Sequence, residues 1–448
     1  MKNVEITVPE LDTYLSAHPE TSAIDALVID VNGNTLGKRI PVSEARSLAE
    51  TGLNFSAATP LMDCRSMGRA PGGRGRDDGD PDSVYRPVSG MLKPIPWARR
   101  PMAQWLCAPA TPPAAEIDPR RILQTVVDRC AAAGIFPVVA CELEFYLLAG
   151  KRELADHPLP APLARTGTQP APIGGLSLSL LEDVDDILHQ IEKAAAVQGL
   201  PVTGLVAEGG AQQFEINLAH GADPLLAADQ AVLLKRLTLG VTRAAGLDAT
   251  FMALPFLNQP GSGLHVHVSL VDEHGNNRFG GEGGEALLRG AIGGMRALLD
   301  ESFALFAPNL NSFRRFDRPF VTPYASWGYN NRGVAFRIPQ SGPSGRRIEH
   351  RIAGADGSPH LILAAILAAI HYGITTSSDP GELTEGETPK SLGYPPRNLV
   401  SSLETLERAS KLAEYIPADY LRLYAELKNS EYLSITSDFL PQEHAYYL

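Results

Sequence analysis

This 448-residue sequence has few cysteines, no long apolar run and no excess of positive charge. Its four cysteines include no CxxC pair, which argues against a disulfide framework and favours a reducing compartment. The longest apolar run, Leu361 to Ile370, is far shorter than the roughly 20 residues that a membrane-spanning helix needs. The formal net charge of −12 argues against a nucleic-acid or membrane-surface partner and is compatible with a cationic substrate. The first residues show no secretory signal, so we expect a cytoplasmic protein with no membrane and no nucleic-acid partner.

Internal repeats, low-complexity tails and the common nucleotide-binding signatures are also absent. There is no GxxxxGK[ST] loop and no set of protein-kinase motifs. The length favours two domains of unequal size, with a boundary predicted at Pro109 to Pro113. Helical and strand-like segments mix without a regular βαβ rhythm, which favours an α+β fold over a doubly wound one.

Local patterns predict the main elements. A short helix is expected at 8–17, followed by a β-hairpin whose turn contains Asn32-Gly33 between apolar runs. Residues 54–92 are rich in Gly, Asp, Pro and Arg and are expected to form a long surface loop, and strand character returns over 94–108. Asp118-Pro119 predicts a helix start, because Asp caps a helix and Pro fits its first turn. The further expectations are helices at about 118–133, 180–198, 222–245, 359–375, 403–414 and 419–430, with short strands over 250–360.

Two carboxylates on one predicted strand are the strongest chemical signal. Glu142 and Glu144 alternate with Leu143 and Phe145 directly after the apolar run Ile135 to Ala140. Side chains alternate along a strand, so the two glutamates point to the same face. Leaving two such charges unpaired in a core costs roughly several kcal/mol, so this face requires an ammonium group or a divalent metal ion.

Three further segments repeat this pattern in apolar or glycine-rich surroundings. They contain Glu208 and Glu215, then His265 and His267, and finally Arg347, Glu349 and Arg351. The acids of the first segment flank a glycine-containing turn, whereas the polar side chains of the other two share a strand face at period 2. The five carboxylates and an imidazole suit a pair of Mg²⁺ or Mn²⁺ ions better than a structural zinc.

Each motif alone has a less specific explanation. A Glu-x-Glu pair is usually a solvated strand edge, an arginine-rich segment is usually a salt-bridged surface, and a Gly-Ser-Gly sequence such as 261–263 is usually a turn. The joint occurrence of the motifs favours a functional site.

Arginines cluster between residues 314 and 351 of this net acidic chain. The candidates for anion binding are Arg314, Arg315, Arg332, Arg337, Arg347 and Arg351. Guanidinium groups recognise carboxylates and phosphates bidentately. Combined with metal ions, they suggest phosphoryl transfer from ATP, in which catalysis is mostly positioning and charge neutralisation.

Taken together, these residues resemble the glutamine synthetase superfamily from end to end. The similar segments are DVNGNTLGKRIPV, GDPDSVYRPVSG with IPW, CELEF, EGGAQQFE, GSGLHVHVS, NSFRR, NNRGVAFRIP, RRIEHR and the C-terminal KNSEYLSITSDFL with YYL. Within the superfamily the chain is most similar to the γ-glutamyl-amine ligases, such as γ-glutamylputrescine and γ-glutamylpolyamine synthetases. The resemblance implies an ATP-dependent ligase that activates glutamate as γ-glutamyl phosphate, which an amine then attacks.

The resemblance also implies a role for each candidate side chain. One metal ion would be held by Glu144, Glu208 and Glu215, and a second by Glu142, His265 and Glu349. ATP would lie against His267, Ser269, Arg337 and Arg347, and glutamate against Arg315, Arg351 and Gly261. The catalytic group would be Arg332, Arg351 and Glu349, with Arg332 directed to the transferred phosphate.

The implied fold has a small N-terminal β-grasp-like domain at residues 1–112 and a large α+β catalytic domain at 113–448. A curved antiparallel sheet surrounded by helices would hold the metals. Family members form two stacked hexameric rings with active sites between neighbouring subunits, so a homododecamer is expected. Residues 54–65 of one subunit would then shape the amine pocket of the next, with selectivity set by loops 54–90 and 150–180.

Departures from the family pattern bear on the nitrogen substrate. Ammonia-using members carry an FDGSS-like loop, but Asn54 to Thr59 has no acid, and the flap Glu is missing from Asp317 to Pro323. A polyamine or other primary amine is therefore expected, and an ammonia-using glutamine synthetase is the alternative. Leu254-Pro255 stands where the family's nucleotide signature has Lys-Pro, and Pro260 where it has Asn. A catalytically silent homologue with a regulatory or structural role is thus a second alternative.

Overall fold

The computed structural model describes residues 4–150, 158–172, 174–319, 321–389 and 392–437. Residues 438–448, the last part of the C-terminal segment that resembles the family, lie outside the described residues. So do residues 151–157 and 173 of the loop expected to select the amine, and Phe320 of the flap segment. Within the described ranges, no helix is long and apolar enough to cross a membrane.

Helices and strands mix along the chain, which confirms the α+β prediction. Over the described residues the helices are α1 (Val4–Ala17), α2 (Ala45–Thr51), α3 (Pro119–Ala132), α4 (Leu178–Asp183), α5 (Asp185–Gln198), α6 (Pro224–Ala244), α7 (Gly284–Ala297), α8 (Leu299–Phe306), α9 (Pro359–Thr375), α10 (Leu399–Glu407) and α11 (Ala418–Thr436). The strands are β1 (Ala23–Ile29), β2 (Thr35–Pro41), β3 (Leu53–Ser56), β4 (Asp82–Pro94), β5 (Met102–Pro109), β6 (Phe136–Leu148), β7 (Val202–Ala207), β8 (Gln213–Leu218), β9 (Asp248–Thr250), β10 (Leu264–Val271), β11 (Trp327–Tyr329), β12 (Phe336–Ile338) and β13 (Ile348–His350).

The first sheet has the strand order β2-β1-β5-β4-β3. β1 and β2 form the predicted antiparallel hairpin, and β1 also pairs in parallel with β5. At the hairpin turn, Asp30 Oδ1 accepts hydrogen bonds from the backbone N–H of Asn32 at 2.9 Å and of Asn34 at 2.8 Å. Gly33 adopts a φ of +74°, a conformation that glycine reaches without strain. These interactions explain why the Asn32-Gly33 signal predicted the turn correctly.

The second sheet has the order β11-β12-β13-β10-β6-β8-β7, and β9 also pairs with β6. Its neighbouring strands are antiparallel, apart from the parallel pair β11 and β12. The long strand β6 lies inside the sheet, with β10 on one side and β8 on the other. This order places the segments predicted to bind metal on adjacent strands.

The prediction of a long loop over 54–92 is wrong at both ends. β3 begins at Leu53, and the whole segment Asp82–Pro94 is the strand β4, which pairs with β3 and β5. A register irregularity between Pro87 and Leu92 accommodates the turn-forming residues that suggested a loop. Residues 82–88 alternate between buried and accessible side chains, which is the period of a strand.

The expectation that short strands dominate 250–360 is correct in part. The strands β10 to β13 lie in this range, but so do the helices α7 and α8, which were not predicted. Glycine is a poor helix former, and the glycines of α7 obscured its periodicity. The structure gives them a packing role. A Cβ added at Gly294 would clash with the carbonyl oxygen of Ala369 in α9, so the two helices approach closely because the residue is glycine.

Several predicted helices are confirmed. α3 begins at Pro119 with Asp118 as its cap, whose carboxylate accepts a hydrogen bond from the Arg121 N–H. α9 has the predicted bounds and is buried along almost its whole length. The helix predicted at 403–414 is instead interrupted, since α10 ends at Glu407 and a separate 3₁₀ turn follows at Leu412–Glu414.

The segment Pro109 to Pro113 separates the two sheets along the chain, with β5 ending at Pro109 and α3 beginning at Pro119. Buried apolar side chains on both sides of this point belong to one continuous cluster. The division into domains at residues 1–112 and 113–448 therefore stays a prediction.

Candidate functional site

Strand register brings the first four metal-site candidates together. Glu142 of β6 lies opposite His265 of β10, and Glu144 of β6 lies opposite Glu215 of β8. Because residues two apart on a strand share a face, the four side chains converge on the same side of the sheet. All four are at least three-quarters buried, so they form a recessed polar cluster rather than a solvated strand edge.

β12 and β13 add a further acid and two arginines. In the strand register, Glu349 lies opposite His267 on one side and Arg337 on the other. Arg337 Nη1 donates to Glu349 Oε2 at 2.6 Å, and Arg351 Nη1 donates to the other carboxylate oxygen. Glu349 is therefore fixed from both sides by guanidinium groups.

His265 lies at the centre of the cluster. Its Nδ1 is 3.5 Å from Glu142 Oε2 and 3.8 Å from Glu215 Oε2, and its Nε2 is 3.9 Å from Glu144 Oε1. The second histidine is closer to one acid, with His267 Nε2 at 2.8 Å from Glu142 Oε1. The imidazole of His265 thus lies between acids of two strands, β6 and β8.

Two groups in the described chain have ligand atoms that all lie within 4.8 Å of one another. They are Glu142, His265 and Glu349, and Glu144, Glu215 and His265. The first group is the ligand set predicted for one ion. The second contains His265 where the sequence resemblance implied Glu208. The carboxylate of Glu208 lies outside this group but is close enough that the charge of Glu144 adds to the effect of burial in raising its pKa.

Burial and crowding raise the pKa of two acids. Burial, with a further contribution from the charge of Glu144, raises the pKa of Glu208 to about 7. Burial also raises the pKa of Glu215 well above its ordinary range, and the charges of Glu142 and Glu144 add to this effect. The raised pKa values favour the protonated form of these crowded carboxyls, and a bound cation would favour the ionised form.

Two other acids are held ionised. Burial acts to raise the pKa of Glu142, but His265 and His267 outweigh it and lower this pKa well below its usual range. At Glu349 burial is likewise outweighed, first by the charge of Arg351 and then by the two histidines, and the pKa falls to about 2. The cluster therefore contains two carboxylates that stay ionised beside two acids whose ionisation a bound cation would favour.

The donor set fits divalent cations. Carboxylate oxygens and imidazole nitrogen are the ligands that Mg²⁺ and Mn²⁺ use in proteins. His265 Nδ1 is buried and makes no hydrogen bond of good geometry, which leaves a ligand atom available. We therefore regard this face of the sheet as a site for divalent metal ions.

Arg315, predicted to bind glutamate, is buried beside the cluster. Its Nη1 donates to the carbonyl oxygen of Ile352 at 2.8 Å. The glycines at 261 and 263 make room for it, since an added Cβ would lie 2.6 Å from Arg315 Cγ at Gly261 and 2.5 Å from Arg315 Nη2 at Gly263. The Gly263 N–H also donates to Glu144 Oε2 at 2.7 Å. The Gly-Ser-Gly sequence is thus a turn that holds the arginine against the metal cluster.

Two residues that sequence reasoning missed hold this turn in place. Gln213 Nε2 donates to the carbonyl oxygen of Gly261 at 3.1 Å, and Tyr146 Oη donates to that of Pro260 at 2.7 Å. Both belong to strands already singled out for their acids, β8 and β6. Since both bonds end on backbone carbonyls, the change from Asn to Pro at 260 leaves this support intact.

The side chains predicted to contact ATP lie near the same cluster, and several have partners. Arg347 Nε donates to His267 Nδ1 at 3.1 Å, so these two form a pair. Arg337 donates to Asn330 Oδ1 at 3.0 Å in addition to its bond with the metal-site acid, a partner that the sequence did not predict. Ser269 is buried on β10.

Arg332, predicted to contact the transferred phosphate, is exposed, and its charge lowers the pKa of Glu208. Arg314 is exposed as well.

His220 was missed by sequence reasoning, although its ring lies 6.1 Å from that of His267. Burial and the charge of His267 lower the pKa of His220, which favours a neutral ring beside the predicted ATP site.

Leu254, which replaces the family Lys, is part of the core. Its side chain is 3% exposed, and its backbone exchanges two hydrogen bonds with the amide of Asn311, at 2.8 and 2.9 Å. The residue therefore anchors the segment before the Gly-Ser-Gly turn and provides no charge to a nucleotide.

Comparison with known proteins agrees with this geometry. The family described as glutamine synthetase, catalytic domain, matches residues 116–447. The chain is 37% identical to gamma-glutamylputrescine synthetase PuuA of Escherichia coli (strain K12), over 93% of this chain and 87% of that protein. It is 32% identical to a glutamate–isopropylamine ligase of Pseudomonas sp, over 79% of this chain and 78% of the relative. A solved structure described as apo GmaS without ligand has a TM-score of 0.82 at 24% identity, covering 97% of this chain and 98% of that one.

The chain therefore belongs to the glutamine synthetase family. The similarity to GmaS confirms the fold that the motifs implied. The relatives also include a glutamine synthetase of Pyrococcus abyssi (strain GE5 / Orsay), 29% identical over 94% of this chain and 92% of that protein. The similar proteins thus include relatives named as γ-glutamyl-amine ligases and relatives named glutamine synthetase.

Proposed function

We propose that the protein is an ATP-dependent ligase that joins the γ-carboxylate of L-glutamate to an amine. Glutamate is first phosphorylated to γ-glutamyl phosphate, and the amine then displaces phosphate to form the γ-glutamyl amide. The observation that carries the proposal is the convergence of two ligand groups sharing His265 with an acid held by two arginines, all on one sheet face. Metal ligands beside guanidiniums are the components that phosphoryl transfer requires.

The metal ions are proposed to be Mg²⁺ or Mn²⁺, two or more per site. Bound there, they would neutralise phosphate oxygens and polarise the transferred phosphoryl group. The proposed ligands are Glu142, His265 and Glu349 for one ion, and Glu144, Glu208 and Glu215 for the other. The approach of His265 to both groups and the raised pKa values of the last two acids support this assignment.

Arg315 and Arg351 are proposed to bind the carboxylates of glutamate, with Gly261 keeping the pocket open. Both guanidinium groups are buried, and the Nε atom of each lacks a hydrogen-bond partner among the described residues. Buried donors of this kind are available to a carboxylate ligand. Arg351 also contacts Glu349, so glutamate and one metal ligand would share a single guanidinium.

ATP is proposed to lie against His267, Ser269, Arg337 and Arg347. Arg332, exposed near Glu208, is proposed to contact the phosphoryl group as it moves. Glu349 would contribute to catalysis by orienting Arg351 and by binding metal.

An amine is favoured over ammonia by the residues of the segment 54–59. Ammonium recognition needs an acid, and this segment has none. Charges of both signs contact this segment, because Lys38 Nζ donates to the Asn54 carbonyl at 2.6 Å and lies 4.8 Å from the Phe55 ring centroid, and Asp80 Oδ1 accepts a hydrogen bond from the Ser56 hydroxyl. The two relatives named for putrescine and isopropylamine support the same choice.

Coupled ADP-release assays test the proposal. We expect glutamate-dependent ADP release with at least one primary amine or polyamine in a panel, and much less with ammonium at the same concentration. Saturation by ammonium at millimolar concentration, with no response to amines, would instead identify a glutamine synthetase.

A catalytically silent homologue is the second candidate, favoured only by the burial of Leu254 where the family has Lys. It predicts no glutamate- and amine-dependent ADP with either Mg²⁺ or Mn²⁺. It also predicts that Glu144→Ala leaves ATP and metal binding unchanged, whereas the ligase proposal predicts that metal binding weakens.

A homododecamer of two hexameric rings acting in the cytoplasm is also proposed. The four cysteines are all free, which supports a reducing compartment. Size-exclusion chromatography with light scattering tests the assembly, and a monomer at micromolar concentration would overturn it.

A further inference from the structure

A basic groove lies between the first sheet and α6. It encloses about 790 Å³ and is lined by the hairpin turn after β1, residues 64–66, the segment after β4 and one side of α6. None of its lining residues belongs to the candidate metal, glutamate or ATP site. The lining contains no acidic residue, although the chain has a net charge of −12. Its basic residues are Arg65, Arg99, Lys235, Arg236 and Arg243.

Two of these arginines are available for a ligand. Arg65 and Arg99 are exposed at the groove, and neither forms an ion pair or a side-chain hydrogen bond with any residue in the described ranges. They reach the groove from different segments of the chain, so a ligand between them would be held from two sides. Guanidinium groups placed in this way bind carboxylate and phosphate oxygens bidentately.

The other arginines are only partly neutralised. Arg236 Nη2 lies 3.1 Å from Asp25 Oδ2, but Asp25 also pairs with Arg39 at 2.7 Å. The single carboxylate of Asp25 therefore pairs with both guanidinium groups, those of Arg236 and Arg39. Arg243 pairs through Nε with Asp248 at 3.2 Å, which leaves its terminal nitrogens without an acid. The wall along α6 thus keeps a net positive charge, and a concave surface of one sign concentrates the potential felt by a ligand.

The floor of the groove is firmly built. The Trp97 ring packs against α6 where Gly240 leaves space, since an added Cβ would overlap the indole. Lys235 turns its ammonium inward, where Nζ donates to the Ala355 carbonyl at 2.9 Å. The groove is therefore preformed, and its remaining polar lining consists of the four arginines with Asn34, Thr35 and Ser66.

We propose that this groove binds a small multivalent oxyanion, either a polycarboxylate or a phosphate ester. A monovalent anion would leave most of the positive charge uncompensated, whereas two or three negative charges match Arg65, Arg99 and the uncompensated share of Arg236 and Arg243. The groove shares no residue with the proposed metal, glutamate and ATP sites, and its existence does not depend on the proposed reaction. Cys64 and Arg65 are the last residues of the segment 54–65 that is expected to shape the amine pocket of a neighbouring subunit.

Cys64 supplies a local probe of occupancy. It lines the groove and is exposed, whereas the other three cysteines are buried. The rate of its alkylation by N-ethylmaleimide can be followed by intact mass on the full-length protein, in metal-free buffer without nucleotide or glutamate, since ADP and glutamate are themselves multivalent oxyanions. We expect inorganic phosphate or citrate to slow alkylation in a saturable manner, while sodium chloride at matched ionic strength does not. Protection by citrate alone identifies a polycarboxylate site, and protection by phosphate alone identifies a phosphate site.

Paired variants test the assignment to the arginines. In Arg65→Gln/Arg99→Gln the anion concentration for half protection should rise about tenfold or more, as expected for lost charge-assisted hydrogen bonds. The matched control Arg408→Gln/Lys193→Gln removes two exposed positive charges elsewhere and should leave protection unchanged. Rates are compared with and without anion for each variant, because Arg65 adjoins the thiol.

Three results would overturn the proposal. The first is no protection by either anion, and the second is equal protection in the groove variant and the control. The third is a thiol that is unreactive without added anion and becomes reactive on dilution, which would show that a second copy of the chain fills the groove.

Discussion

At the scale of residues, the two glutamates of β6 have different surroundings although they are two positions apart. Glu142 contacts both histidines of β10, at 3.5 and 2.8 Å. Glu144 instead accepts a hydrogen bond from the Gly263 N–H at 2.7 Å, in the turn that also holds Arg315. This difference supports the proposal that the two neighbouring acids serve different metal ions, Glu142 on the ATP side and Glu144 on the glutamate side.

This division predicts unequal effects of Glu142→Ala and Glu144→Ala. Both should lower kcat/KM by roughly a hundredfold or more, because each removes a charged ligand from the site of phosphoryl transfer. Glu144→Ala should mainly raise KM for glutamate, and Glu142→Ala should mainly raise KM for ATP. Steady-state kinetics with each substrate varied measures the difference, and Glu192→Ala, an exposed acid on α5, is the control. Identical kinetic effects of the two variants would contradict the division.

The raised pKa values of Glu208 and Glu215 predict a pH dependence of stability. A carboxyl whose pKa is raised on folding binds more protons in the folded state, so its contribution to stability is lost as pH rises. The metal-free protein should therefore have a lower Tm at pH 8 than at pH 6. Added Mg²⁺ should raise Tm more at pH 8, because at pH 6 it must displace these protons.

Differential scanning fluorimetry in chelator and in Mg²⁺ measures this effect. Glu215→Gln removes one of the titrating groups and should reduce the pH dependence of the metal-free protein. A metal-free Tm that rises from pH 6 to pH 8, or an unchanged dependence in the variant, would contradict the assignment.

At the scale of elements, the close contact of α7 and α9 depends on glycine. Gly290 and Gly294 face Gly373 and Ala369 across the interface. Glycine in a helix costs up to about 1 kcal/mol relative to alanine, so its presence here is explained by packing and not by helix propensity.

Gly294→Ala should therefore destabilise the protein even though alanine is the better helix former. Overpacking of this kind costs roughly 1–3 kcal/mol of unfolding free energy, and the added Cβ meets backbone that cannot move aside. A fall in Tm by scanning fluorimetry is the expected result. Gly342→Ala is the matched control, because its φ of −70° suits alanine and its Cβ would meet nothing within 4 Å. Equal Tm values for both variants would show that the interface can relax.

Sequence patterns predicted those helices whose formation depends on neighbouring residues in the chain. They failed for elements whose formation depends on packing against distant segments. Asp118-Pro119 and the apolar run of α9 gave correct helices, since capping and burial are local features. α7 was missed because the partner that makes its glycines useful is more than 70 residues away. β4 was missed because Gly, Pro and Asp upstream of it dominated the composition of its region.

The sequence predicted which candidate side chains share a strand face, but it did not predict their contacts. Period-2 spacing placed Glu142 with Glu144 and His265 with His267, and this spacing survives folding unchanged. The approach of His265 to both ligand groups depends on strand register, which no single segment encodes. The same holds for the supports provided by Gln213 and Tyr146.

At the scale of the whole molecule, a buried lysine connects the two ends of the chain. Lys428 of α11 is 0% exposed, and its ammonium donates to Asn32 in the first hairpin turn and to Asn309 at 3.2 Å. It also pairs with Glu431 at 2.9 Å, whose other oxygen accepts a hydrogen bond from the Cys64 N–H. This network ties α11 to the first sheet.

Lys428→Met should destabilise the protein strongly, because it leaves Glu431 buried without its partner. Breaking a buried ion pair in this way costs roughly 3–5 kcal/mol of unfolding free energy. The double variant Lys428→Met/Glu431→Gln removes the stranded charge and should recover part of the lost Tm. A double variant that is less stable than Lys428→Met would show that the ion pair is not the source of the effect.

The most direct measurement of the proposed activity is identification of the product by mass spectrometry. The purified protein is incubated with glutamate, ATP, Mg²⁺ and an equimolar mixture of ammonium, putrescine and simple alkylamines. We predict a γ-glutamyl amide of one of the amines as the main product, formed together with ADP and lost in Glu144→Ala. Glutamine as the main product, or no amide at all with either Mg²⁺ or Mn²⁺, would contradict the assignment of this site to a glutamate–amine ligase.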